Sequence, residues 1–315
     1  MSKYGIPYMG SKDKIAEKII SFLPSGNRLV DLFGGGFAIT ECAIYSHKYK
    51  QHLYNELNPL LPELIKKAKS GYYNYKRFKP QWISHEEFDK LKDTDGYVKF
   101  IWSFSNKGTS YMFGKDIEPY KKSAHEYIVF GRKDEIFQKY FKDVDKYIKT
   151  TDIKARRIIF RRYLKAVLER YRKNGQNLQE LNQLERLQNL ECLARLERLQ
   201  NLECLERLER LQITCGTYLD YEYQEGDVVY CDPPYEGTAE YNNNSSFNHK
   251  EFYDWVATRP YVVYFSSYNT ISDKRFKMVW AEGKRNLMQG TSTSKDGKLM
   301  YKYECIYSNE ELIKK

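Results

Sequence analysis

No stretch of the chain approaches eighteen consecutive apolar residues, so no membrane-spanning helix is expected. The opening MSKYGIPYMGSKDK lacks the apolar core of a secretory signal, which leaves the cytoplasm as the expected compartment. Cysteine is scarce: Cys42, Cys192, Cys204, Cys215, Cys231 and Cys305 form no CxxC pair and have no histidine at zinc-finger spacing beside them. In a reducing compartment they read as free thiols, and no metal site is expected. No GK[ST] follows the run of three glycines at residues 34–36, which argues against a triphosphate loop.

What is abundant is positive charge and tyrosine. Fifty-two Lys and Arg stand against forty-two Asp and Glu, a formal +10, and there are 29 tyrosines. Cations suit phosphates and flat rings suit unstacked bases, so a nucleic-acid partner is one reading and plain solubility the other. With 315 residues, 41% of them hydrophobic, the chain can build one large α/β domain or two modest ones.

Three zones follow one another. In residues 1–64, Ser11 reads as the N-cap of a helix carrying Ile15, Ile19 and Leu23. Residues 28–33 read as a buried strand, 38–45 as a helix and 51–54 as a second strand, a β-α-β unit of the kind that binds nucleotides at its strand carboxyl ends. Residues 65–212 are basic, aromatic and largely helical. Residues 154–173 hold nine Lys or Arg and one acid, Glu169. Phe160, Tyr163, Leu164, Val167, Leu168 and Tyr171 recur at helical spacing there, which leaves Arg156, Arg161, Arg162, Lys165 and Arg172 outside for phosphates.

An internal repeat comes next: residues 184–195 (LERLQNLECLAR) and 196–207 (LERLQNLECLER) differ only at Ala194 and Glu206, and Leu recurs every third residue from Leu178 to Leu211. Three residues of α-helix advance 300°, so the leucines circle a straight helix and cannot all face one side. A 3₁₀-helix would align them but is poor over that length, so the segment is expected to be bent, broken or solenoid-like, a duplicated spacer without chemistry. From about residue 213 the α/β pattern returns, with strands at 227–230 and 261–265, a helix near 250–257 and a closing edge strand at 301–306.

Two places carry chemistry. Asp232-Pro233-Pro234-Tyr235 ends a buried strand; its prolines fix φ and remove donors, so a rigid chain presents carbonyls beside one carboxylate and one ring. Asp232 and the Pro233 carbonyl can each accept an N–H of an exocyclic amine while Tyr235 stacks on the base. Asp31-Leu32-Phe33-Gly34-Gly35-Gly36 ends a strand in a turn a ligand can approach closely, and Glu56, twenty-one residues after Gly35, is spaced to hold ribose hydroxyls.

Together these blocks resemble the Dam-like (D12 class, α group) DNA adenine-N6 methyltransferases, which use S-adenosylmethionine. Pro7-Tyr8-Met9-Gly10-Ser11-Lys12 is similar to the family's first block, which implies cofactor contacts for Tyr8 and Lys12. The resemblance implies cofactor roles for Asp31, Phe33, Gly34, Gly35, Glu56 and Asp232, and catalytic roles for Asp232, Pro233, Pro234 and Tyr235. Phe37 departs from it, standing where the family often has a second glycine, which implies a differently shaped turn.

The implied fold is α/β, a Rossmann-like S-adenosylmethionine-dependent methyltransferase sheet. Residues 1–64 and 213–315 would form the catalytic domain, and residues 65–212, with the Leu-rich stretch at 178–211, an inserted, mostly helical target-recognition region. Within it, residues 99–122 mix rings, amides and cations as a base-reading surface does, and Lys107 and Lys115 join Arg156, Arg161, Arg162 and Lys165 as DNA contacts. The loop at 284–298 reads as a phosphate holder or a plain hairpin loop. The expected activity is methylation of N6 of a flipped adenine in double-stranded DNA, by a monomer, alone or beside a cognate restriction nuclease. An RNA or N4-cytosine amino-methylase, a DNA-binding protein with a decayed site, and an interaction protein working through the repeat are the alternatives.

Overall fold

The computed structural model describes residues 3–104, 108–173, 185–186, 190–205, 210–236, 247–269, 271–283, 292–293, 299–300 and 303–314. In chain order its elements are α1 (Ala16–Phe22), β1 (Arg28–Asp31), α2 (Ala38–Ser46), β2 (Gln51–Glu56), α3 (Leu60–Lys69), α4 (His85–Leu91), α5 (Gly96–Ile101), α6 (Glu118–Phe130), α7 (Glu135–Tyr140), α8 (Ile153–Lys173), α9 (Glu191–Asn201), β3 (Leu211–Cys215), β4 (Asp227–Cys231), α10 (His249–Ala257), β5 (Val263–Tyr268), β6 (Lys277–Gly283), β7 (Ser292–Thr293), β8 (Leu299–Met300), β9 (Tyr303–Ser308) and α11 (Glu310–Ile313). They fall into two compact units, Met1–Gly5 with Gly10–Pro62 and Leu208–Lys315, and Ile6–Met9 with Glu63–Arg207.

The first unit is built on a seven-stranded sheet of order β3-β2-β1-β4-β5-β9-β6. Five strands run parallel; β9 lies antiparallel between β5 and β6, with a register shift at Met278/Trp280. Neighbouring residues of one strand feed opposite cores, as the pleat requires: Val30 and Val229 join Phe252 and Phe265 on one face, while Leu29 and Val228 join Ile15, Ile19 and Ile39 on the other. This is the Rossmann-like arrangement expected for a methyltransferase. At the amino ends of β1 and β4 a buried pair pins the register: Arg28 Nε and Nη2 donate to Asp227 at 2.8 and 2.7 Å, and Tyr221 adds its hydroxyl. The opposite ends, where the connections from β1 and β4 diverge, form the topological switch point.

Several boundaries differ from the sequence pattern. Ser11 is not an N-cap: its hydroxyl accepts the Asp13 N–H, and the helix starts only at Ala16. The last strand is interior, not an edge; the antiparallel edge is β6, which sequence periodicity did not mark, and β3 at the other edge was unmarked too. All six cysteines are free thiols. Among the described residues no helix is long and apolar enough to cross a membrane.

The second unit is helical. Its core is a cluster of rings: Trp82 stacks on Phe113 and meets Trp102 and His125 edge-on. Residues 99–122 are therefore less a surface than expected: Trp102, Tyr111 and Phe113 are buried, their backbones paired through a Ser103–Tyr111 bridge, while Phe104 and Lys115 are exposed. Helix α8 forms as its spacing predicts, with Phe160, Leu164 and Leu168 buried. Arg156 is a correction. It is buried, its guanidinium over the Tyr127 ring and donating to the Tyr127 carbonyl in the last turn of α6, where a cation offsets the helix's negative end. Arg157 is buried as well, in a two-pronged pair with Glu197 at 2.7 and 2.6 Å.

That Glu197 belongs to the repeat, which is not a detached spacer. Leu190, Leu193, Leu196, Leu199, Leu202 and Leu205 are all buried. The backbone changes form to allow it: α9 ends at Asn201 and a 3₁₀ turn takes over at Leu202–Leu205, the form in which every third residue aligns. The break in the helix expected from the three-residue period lies here. Polar repeat residues tie in also, Arg195 to the Phe100 and Ser103 carbonyls, Gln200 to the Tyr73 carbonyl and Glu203 to Asn74.

Candidate active site at the strand carboxyl ends

The chain leaves β1 at Asp31 and turns through Gly34 and Gly35 into α2. Gly34 has no room for a side chain, because a Cβ there would lie 2.1 Å from the Tyr54 ring. Phe37, the departure from the family pattern, takes up the left-handed backbone (φ 71°) that glycine favours. Its ring is wholly buried and edge-on to Tyr54 at 5.3 Å, so apolar burial compensates the backbone strain and the glycine is not needed. Glu56 ends β2 and closes the turn from the side: Oε2 accepts the Gly35 N–H at 2.8 Å and Oε1 the Asn58 N–H at 3.0 Å. Burial pushes its carboxyl upward in pKa against those hydrogen bonds.

Asp31 lies beneath the turn, 1% exposed, accepting the Thr40 hydroxyl at 2.8 Å. Burial, with Asp232 and Glu56 nearby, raises its pKa to about 7. Phe33 is half-buried and stacks on Tyr218 at 5.4 Å. Past the turn, Leu57 is 64% exposed beside the end of β3, since Glu56 pairs with Cys215.

The end of β4 carries the other half. Asp232 Oδ2 accepts Lys12 Nζ at 2.7 Å, and the same ammonium reaches the Gly10 carbonyl and lies 4.8 Å from the centre of the Tyr235 ring. The Tyr235 hydroxyl is 2.7 Å from Glu304 Oε2 and 3.2 Å from Asp232 Oδ1, and its ring meets Tyr268 edge-on. Burial raises the Asp232 pKa, Lys12 opposes the rise and Glu304 adds to it. Pro233 is buried and Pro234 half-buried.

Lys12, Asp31, Phe33, Gly34, Gly35, Glu56 and the 232–235 segment thus share one end of one sheet. Tyr8 belongs to the second unit, edge-on to Phe100 at 5.8 Å. Arg161, Arg162, Lys165 and Lys115 are exposed on that unit, and Lys107 lies outside the described residues, as does the 284–298 loop apart from Ser292 and Thr293. Sequence reasoning missed Glu304 and Tyr268. The signal for Glu304 was there, one acid in the aromatic and apolar strand YECIYS, which needs a partner if buried.

No individually curated protein is significantly similar to the chain. The sequence profile of a family does match, over residues 8–259, which takes in the glycine turn, Glu56, the whole helical unit from Glu63 onward and the 232–235 segment. The chain belongs to the D12 class N6 adenine-specific DNA methyltransferases.

Proposed function

We propose that the protein transfers a methyl group from S-adenosylmethionine to N6 of an adenine turned out of duplex DNA. The observation that carries this reading is the Asp232 carboxylate at the end of β4, held by Lys12 through one oxygen with Tyr235 beside it. The residues fit such a cofactor. Glu56, Asp31 and Asp232 make an acceptor-rich end of the sheet, suited to a cationic nucleoside rather than to a phosphate, and the Gly34–Gly35 backbone admits close approach. Glu56, Gly34, Gly35, Phe33 and Lys12 would hold it. When bound, it supplies a methyl group on a positively charged sulfur.

The chain's own share is orientation and proton handling. Asp232 Oδ1 and the Pro233 carbonyl each accept one N–H of the target amine, which draws its lone pair out of conjugation and points it along one line. Tyr235 stacks on the base. Once the amine has been methylated it sheds a proton, and Asp232, with its proton affinity raised by burial, is the acceptor at hand. Exposed cations of α8 meet phosphates.

Modification mapping by long-read sequencing of DNA from cells expressing the wild type and Asp232→Ala tests the reading. N6-methyladenine at one sequence context is expected with the wild type and background with the variant. Wild-type DNA without added N6-methyladenine would overturn it, and methylcytosine in its place would move the protein to the N4-cytosine class.

A further inference from the structure

A tyrosine hydroxyl has one proton to give. At Tyr235 two carboxylates compete for it, Glu304 at 2.7 Å and Asp232 at 3.2 Å, and the shorter contact goes to Glu304. Glu304 lies in β9, an interior strand, and is 7% exposed. A buried acid facing a second one is unfavourable unless groups nearby compensate it, and the Tyr235 hydroxyl lies within hydrogen-bond reach of both.

We propose that Glu304 is a positioning residue for methyl transfer: by taking the Tyr235 hydroxyl proton it keeps that proton off Asp232 Oδ1, leaving this oxygen to the target amine, and it fixes the plane of the Tyr235 ring. Lys12 already occupies Asp232 Oδ2, so Oδ1 is the oxygen left for an incoming N–H. Without Glu304 the hydroxyl turns to Asp232 and forms a charge-assisted hydrogen bond that the amine must displace. The inference rests on the proposed amine-binding role of Asp232.

The test is a double-mutant cycle on Glu304→Gln and Tyr235→Phe, read by single-turnover methyl transfer and by binding of DNA and of S-adenosylmethionine. Glu304→Gln is expected to slow transfer on the order of tenfold, the worth of one charge-assisted hydrogen bond, at unchanged affinity for either ligand. In the Tyr235→Phe background, which has no hydroxyl to misdirect, it should cost nothing further. An equal loss in both backgrounds would overturn the inference. A second readout needs no activity: with 13Cζ-labelled tyrosine, the resonance that Tyr235→Phe deletes should shift in free Glu304→Gln protein, and an unmoved resonance would overturn the contact itself. Should Glu304→Gln fail to fold, Glu304→Asp, one methylene too short for the 2.7 Å contact, is read in the same way. A wild type that methylates nothing would instead defeat the proposed function, and the resonance would still report on Glu304.

Discussion

A carboxyl group buried without a cation prefers its proton, and Asp31 is the clearest case in this site. Its folded pKa of about 7 lies above the 3.8 of a free aspartate, so the native state holds a proton that the unfolded chain releases as pH rises from about 4 to about 7. More protons bound in the native state means stability that falls with rising pH over that window. Asp31→Asn keeps the shape and can still accept the Thr40 hydroxyl, but has no charge to bury. Urea unfolding of both proteins between pH 4 and 8 should show the variant gaining on the wild type as pH rises, by about 4 kcal/mol at most near pH 7. The buried His52 and His125, with pKa values lowered to about 4, push stability the other way, and the comparison at each pH cancels them. A gap independent of pH would mean that Asp31 is ionised as folded. At this scale, the residues legible in the sequence are those whose chemistry is contiguous. Asp232 announces itself through its neighbours, whereas Glu304 meets Tyr235 across sixty-nine positions and no local pattern encodes that meeting.

At the scale of elements, the repeat shows what a periodicity fixes and what it leaves open. Its three-residue period excludes one straight, one-sided α-helix, and the change from α9 to a 3₁₀ turn is the outcome. Whether the leucines would be buried could not be read from the period, because that depends on partners such as Arg157, Asn74 and the Phe100 carbonyl of α5 supplied from elsewhere in the chain. The same holds for α8, where spacing gave the apolar stripe correctly but not the burial of Arg156, which the end of α6 decides. Leu196 is fully buried, so Leu196→Ala should destabilise the helical unit by about 2–5 kcal/mol. Hydrogen exchange can localise the loss: faster exchange is expected in α5, α8 and α9, with β1 and β4 less affected. Deleting residues 184–207 should unfold that unit, whereas a dispensable spacer would leave exchange in α5 and α8 unchanged.

For the molecule as a whole, the excess charge is partitioned between the units. Residues 63–207 carry thirty-two Lys and Arg against twenty-one Asp and Glu, a net +11, while the rest of the chain has twenty against twenty-one. The unit with the sheet is thus near neutral and acid-lined at its site, and the helical unit holds the positive surplus. That division suits an enzyme whose cofactor is a cation and whose substrate is a polyanion. Not every cation of α8 is available: Arg156 and Arg157 are buried, and Arg172 pairs with Glu185. Arg161, Arg162 and Lys165 are exposed and make no ion pair among the described residues. Replacing these three by Gln should weaken duplex binding and reduce the slope of log affinity against log salt by about 0.9 for each charge that meets a phosphate. Affinity for S-adenosylmethionine and the unfolding temperature should not move. Arg156→Gln is the informative contrast, since it removes the same charge from the same helix. It should lower stability through the buried contacts with the Tyr127 carbonyl and ring that it loses, and change the salt slope little. Equal slopes for wild type and the triple variant would assign the phosphate contacts to other cations of the unit, and the surplus on α8 to solubility.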